Sequence, residues 1–200
     1  MTAIVFHPAR GNAINSLYAR FCDLQRWILH LYDRYSFSLC EGNAIKYSND
    51  LEVSMGYPVT GIGEAIAYVD GSFNNETGEY GAGVAFFTDG KLTELSEKGS
   101  NPDAATMRNV SGEVMASMMA MREAKSRGIT HLVIYHDYQG IADWCTGAWK
   151  TKKEGTRIYK EYYQEMRLSG LNIDFVKVEG HSGDEWNDHA DMLARKAVGK

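Results

Sequence analysis

Apolar and polar positions alternate over "AIAYVD" (65–70), so that Ile66, Tyr68 and Asp70 fall on one side of an extended chain. A strand is predicted there. It leads through the turn residues "NNETGE" into "YGAGVAFFT" as a hairpin, and "KLTELSEKG" reads as a third strand. Helical spacing takes over in "SGEVMASMMAMREAKSRG", where Val114, Met118 and Met121 form an apolar stripe and Gly128 supplies a stop. "HLVIYHD" reads as a fourth strand, "YQGIADWCTGAWK" and "GTRIYKEYYQEMRLSG" as helices, "NIDFVKVEG" as a fifth strand and "WNDHADMLARKAV" as a closing helix. The order βββαβααβα predicts an α/β fold, a mixed five-stranded sheet flanked by helices. Parallel pairing of the first and fourth strands across a right-handed crossover would set Asp70 and Asp137 side by side at the strand ends.

Upstream, "NAINSLYARFCDLQRWILHLYDRY" places Ile14, Leu17, Phe21, Leu24, Ile28, Leu31 and Tyr35 at three- and four-residue steps. That spacing predicts an amphipathic helix packed on the same chain or on a partner, including a second copy of itself. A seam follows in "MGYPVTGIGEA" (55–65), where three glycines and a proline break the periodicity. The chain therefore divides into an N-terminal helical extension, 1–62, and a second domain, 63–200.

Composition narrows the class. A hydrophobic fraction of 44% supports a real core, and a net charge of −5 argues against gripping nucleic acid by bulk charge alone. It leaves room for a local basic strip beside an acidic metal site. Cys22, Cys40 and Cys145 are odd in number and lack C-x-x-C spacing, so they read as free thiols of a reducing compartment. With no secretion signal and no run of about 18 apolar residues, the expectation is a soluble cytoplasmic protein without a membrane partner.

Four acids then stand out. A buried carboxylate is costly unless it is paired or bound to metal, and Asp70 lies in line with the apolar face of its strand. Asp137 ends "HLVIYHD" on the face of Val133 and Tyr135; Glu113 opens a methionine-rich helix; Asp191 sits beside Ala190 and the Leu193–Ala194 pair. Each has a plain alternative. Asp70-Gly71 and Asp137 would then begin turns, Glu113 would favour a helix N-terminus, and Asp191 would be solvated. The topology nevertheless gathers all four at one sheet edge, where carboxylates repel unless cations lie between them. An oxygen-only ligand set suits magnesium or manganese.

From about Ile66 to Val198 the sequence resembles the type I ribonucleases H, which cut the RNA strand of RNA–DNA hybrids. The resemblance lies in "YVDGS" around Asp70, "MRNVSGE" ending in Glu113, "IYHDYQ" around Asp137, and "VEGHSGDEWNDHADMLA". The variant most resembled is a bacterial group that often has a small N-terminal hybrid-binding module; residues 1–62 do not show that module's aromatic-and-lysine pattern. The resemblance implies a ribonuclease H-like fold and an endonuclease using two Mg²⁺ ions (Mn²⁺ is the alternative), leaving 5′-phosphate and 3′-hydroxyl ends. It makes Asp70, Glu113, Asp137 and Asp191 metal ligands and His181 an auxiliary proton-transfer or product-release residue. Asn109, Gln139 and, in looser register, Asn74 become hybrid contacts. The family's basic handle is missing or reduced, yet Trp149, Lys150, Lys152 and Lys153 remain to touch the DNA backbone.

Two rival readings stand beside this one: a 3′–5′ exonuclease with a related four-acid site, and a silent module that binds hybrids or a protein. A lost acid would mark the latter, and no acid is lost. "GAG" (81–83) is too short for a phosphate loop and predicts close packing instead. The methionines of 115–121 are expected in the core, and Tyr159, Tyr162 and Tyr163 are expected to pack their helix against the sheet rather than to form a stacking platform.

Overall fold

The structure, a computed structural model, describes residues 57–180 and 183–200. The predicted helix over 14–35, with its self-association reading, and His181 lie outside the described residues. Strands β1 (Glu64–Phe73), β2 (Tyr80–Thr88) and β3 (Lys91–Gly99) come first. They are followed by a short helix α1 (Pro102–Ala105), α2 (Asn109–Ser126), β4 (His131–His136), α3 (Gly140–Thr146), α4 (Glu154–Leu168), β5 (Asn172–Lys177) and α5 (Glu185–Ala197). The five strands form one mixed sheet in the order β3-β2-β1-β4-β5. β1 pairs antiparallel with β2 and parallel with β4. The parallel register runs Ile66↔Val133 and Tyr68↔Tyr135. The same offset carried two residues further sets Asp70 level with Asp137.

The strand does not stop at Val69. β1 continues through Asp70 and Gly71 to Phe73, paired throughout with β2, so the turn reading of Asp70-Gly71 is excluded. α1 was not legible in the sequence: Asn101 caps a four-residue helix through its side-chain oxygen, which accepts from the amides of Asp103 and Ala104.

α2 and α5 cover opposite faces. On one face Ala65, Ala67 and Val69 meet Val114, Met115, Met118, Met119 and Met121 in a continuous core with Tyr159 and Tyr162 of α4. Burial in α2 runs all the way round from Ser111 to Met121, wider than the predicted stripe, because α4 packs on the side that faces away from the sheet. On the other face α5 lies over β1, β2 and β3. There Tyr68, Ala85, Phe87 and Ala190 are buried, and Tyr57 joins them with its ring 5.6 Å from Phe87 and 5.5 Å from Trp186. Helix α5 can come this close because β2 offers no side chain at Gly81 and Gly83. A Cβ at Gly83 would stand 2.1 Å from the Ala190 carbonyl oxygen, and one at Gly81 equally close to that of Ala194. The "GAG" stretch is thus a helix seat. Among the described residues no helix is long and apolar enough to cross a membrane.

Candidate active site

The acids meet where α2 touches the end of β1. Gly71 and Gly112 make that contact. A Cβ at 71 would lie 2.2 Å from the Glu113 amide nitrogen, and one at 112 would lie 2.1 Å from the Gly81 carbonyl oxygen. With no side chains between them, the helix rests on the strand and Glu113 is delivered to Asp70. Glu113 stands in the second turn of α2, since the helix begins two residues earlier than the pattern suggested. Its placement therefore comes from packing rather than from the helix dipole, which acts on the first turn.

Asp70, Glu113 and half-buried Asp137 each offer an oxygen within 4.8 Å of the others. Asp70 and Glu113 are 6% and 3% exposed. The Gly71 amide donates to Asp70 Oδ1 at 2.6 Å, and Glu113 Oε2 is buried with no hydrogen-bond partner. Burial pushes Asp70 up to about 7; the hydrogen bond with Glu113 opposes this, and the charges of Asp137 and Asp191 add to it. Burial and the charges of Asp70 and Asp137 hold Glu113 well above the usual carboxylate range. Such a pair retains a proton at neutral pH unless a cation replaces it. An oxygen-only cluster with an unsatisfied buried lone pair fits a hard divalent cation.

The other expected residues fall at graded distances from this trio. Asp191 lies half-buried on α5, near enough for its charge to act on Asp70, with Arg195 Nη1 3.5 Å away. It is not one of the three acids within 4.8 Å of each other. The "EGHSGD" turn enters at Gly180, where a Cβ would meet Asp137 Oδ2 at 2.5 Å; His181 follows, outside the described residues. Asn109 is the exposed first residue of α2. Gln139 donates through Nε2 to Asp143 at 2.8 Å. Asn74 is occupied by its own chain, Nδ2 donating to the Val198 carbonyl and Oδ1 accepting from the amides of Glu76 and Thr77.

Two features escaped the sequence reading. Arg108, just before Asn109, has φ 58 and ψ −130, a backbone region that side chains strain to occupy. Its guanidinium lies 5.5 Å from the centre of the Phe73 ring and donates to Asn75, so the strained residue ties α2 to the loop after β1. The second is a cavity of about 310 Å³ whose walls include Tyr138, Trp144, Lys150, Lys152, Lys153 and Thr106. The lysines were visible as a basic run; their convergence with Tyr138, the neighbour of Asp137, was not. Trp149 is 43% exposed, its ring 6.4 Å from Tyr138 and 6.1 Å from Trp144.

With this geometry in hand, comparison with known proteins gives a family. The RNase H family model matches residues 63–199. The chain belongs to the RNase H family. A ribonuclease H of Francisella philomiragia is 30% identical over 143 residues, covering 66% of this chain and 90% of the relative. Human ribonuclease H1 is 36% identical over 100 residues, 45% of this chain and 35% of the relative. Against the mouse and rat enzymes too, the match spans about a third of the relative's length. Among solved structures, RNase H1 of the archaeon Halobacterium salinarum superposes with a TM-score of 0.56 at 24% identity, over 68% of this chain and 97% of that one. LC11-RNase H1, solved in complex with an RNA/DNA hybrid, gives 0.54 at 18% identity, over 67% and 99%. At these identities the two superpositions establish the RNase H fold.

Proposed function

We propose that this RNase H domain is an endonuclease that hydrolyses the RNA strand of RNA–DNA hybrids, leaving 5′-phosphate and 3′-hydroxyl ends. One observation supports this above the rest: Asp70, Glu113 and Asp137 converge, mostly buried, with Glu113 Oε2 lacking a partner. A protein evolved for binding alone gains nothing from such a cluster, which is costly to ionise. Asp70, Glu113, Asp137 and Asp191 would hold two Mg²⁺ or Mn²⁺ ions. Bound ions supply a low-pKa water and neutralise charge at the leaving oxygen.

The chain's own residues do the remainder. The Gly71 amide fixes the Asp70 carboxylate. With its Nε2 on Asp143, Gln139 presents Oε1 as an acceptor for a 2′-hydroxyl, the group that separates RNA from DNA. Asn109, exposed at the start of α2, contacts the hybrid beside it. Asn74 fixes the loop after β1 through its bonds to Val198, Glu76 and Thr77. His181 moves a proton or aids product departure. Lys150, Lys152 and Lys153 take phosphates of the DNA strand.

The test is cleavage of an end-labelled hybrid with Mg²⁺, with Mn²⁺ and with a chelator, duplex DNA being run in parallel. Internal cuts confined to the hybrid and abolished by chelation are expected. Asp137→Asn should cost at least about a thousandfold in rate, roughly 4 kcal/mol of barrier. Unchanged turnover in that variant, equal cutting of duplex DNA, or products shortened only from the 3′ end would overturn the proposal.

A further inference from the structure

We infer that His136 is a positioning residue, holding the Asp137–Gln139 turn in its active geometry through one hydrogen bond to the Tyr138 carbonyl. His136 is the last residue of β4 and is 1% exposed. Side chains alternate along a strand, so its ring points away from the side taken by Asp137, into the layer of helices. There it meets the Phe175 ring edge-on, at 6.0 Å and 78°. Nδ1 lies 3.0 Å from the Tyr138 carbonyl oxygen. A carbonyl only accepts, so Nδ1 bears the proton.

The Tyr138 carbonyl is held from both sides, because the Ile141 amide also donates to it at 3.1 Å. His136 thus joins the strand to the first turn of α3 across the three residues that include Asp137 and Gln139. On the strand side, the amide of Val178, the residue after β5, donates to the His136 carbonyl at 2.9 Å and so anchors the ring's own backbone. The residue behind this clamp is not chosen for packing. Its Nε2 is buried with no partner, a cost that phenylalanine or leucine would not incur against Phe175. What histidine alone adds here is the donor at Nδ1. Groups that orient a metal ligand commonly set affinity as strongly as some ligands do.

The inference rests on Asp137 being a metal ligand, and the experiment separates the two ideas. Mn²⁺ binding to the intact chain is followed by electron paramagnetic resonance of free Mn²⁺, and cleavage of a hybrid is measured alongside. His136→Phe keeps the ring contact and removes the donor; it should stay folded while binding Mn²⁺ about tenfold more weakly. His136→Asn puts an amide N–H near the position of Nδ1 and should restore binding to within about twofold of the native chain. Native-like Mn²⁺ binding by His136→Phe would overturn the inference, as would equal impairment of both variants, which would mean that restoring a donor at this position does not restore binding. A nitrogen NMR spectrum of the unmodified protein gives a further check that needs no variant: a proton on Nε2 instead of Nδ1 would also overturn it. Asp137→Asn distinguishes the cases, since insensitivity of Mn²⁺ binding to that change refutes the ligand assignment itself.

Discussion

Asp70→Asn should stabilise the protein in chelator at neutral pH while abolishing its activity. Asp70 is held at about 7 against an ordinary 3.8, so ionising it in the folded state costs on the order of 4 kcal/mol. The folded value lies above the unfolded one. The folded state therefore keeps a proton that the unfolded chain has lost between pH 4 and 7, and stability falls as pH rises through that window. Asparagine is close in shape, can still accept from the Gly71 amide, and brings no charge. Glu113 keeps its own burial penalty, so part of the 4 kcal/mol is shared and the expected gain at pH 7.5 is about 1–3 kcal/mol. For a domain of this size that is roughly 3–10 °C in Tm.

The assay is thermal or urea unfolding of both proteins in chelator at several values from pH 4 to 8, read as a difference so that other titrating groups cancel. The two should agree near pH 4 and diverge upward. Adding Mg²⁺ should raise the stability of the native chain and do much less for the variant, because only the former has the full ligand set. A variant less stable than the native chain at pH 7.5 in chelator, or a difference flat with pH, would refute the reasoning.

Asp188 and Asp191 share α5 but should behave oppositely. Asp188 is exposed in the first turn, so Asp188→Asn should cost at most ~1 kcal/mol of stability and little turnover, whereas Asp191→Asn should weaken turnover strongly and to different extents in Mg²⁺ and Mn²⁺, read from a metal titration. Gly83→Ala pushes a methyl against the Ala190 backbone and should destabilise by about 1–3 kcal/mol or more in urea unfolding. His131 is bonded to Asp174 at 2.9 Å and lies 3.4 Å from Glu64, and these partners raise its pKa above 6.5. His131→Gln should therefore lose up to about 1 kcal/mol below pH 6, with the difference vanishing as pH rises through the raised value. A chain starting at Tyr57 should fold and cleave, while one starting at Gly63 should melt lower because it lacks the Tyr57 contacts with Phe87 and Trp186; equal melting would show those contacts to be idle.

Period and punctuation in the sequence determined the element order, the five strands, the helical covering and the methionine core, because each depends on local spacing of apolar side chains. The four acids were legible as candidates because a carboxylate in line with an apolar face, as at Asp70, conflicts with simple burial. The tertiary structure decided what spacing cannot express. Whether β1 stops at Val69 or runs on to Phe73 depends on how far the hairpin pairing with β2 extends, a register that alternation within β1 does not show. Glu113 reaches Asp70 only because Gly71 and Gly112 let a helix rest on a strand, and a glycine's missing side chain looks the same in sequence whether it serves a turn or a contact. The strained backbone of Arg108, the convergence of three lysines with Tyr138, and the Nδ1 bond of His136 likewise arise from groups brought together by packing. Proximity in space is set by the whole sheet and its two helical layers, and no window of local sequence contains it.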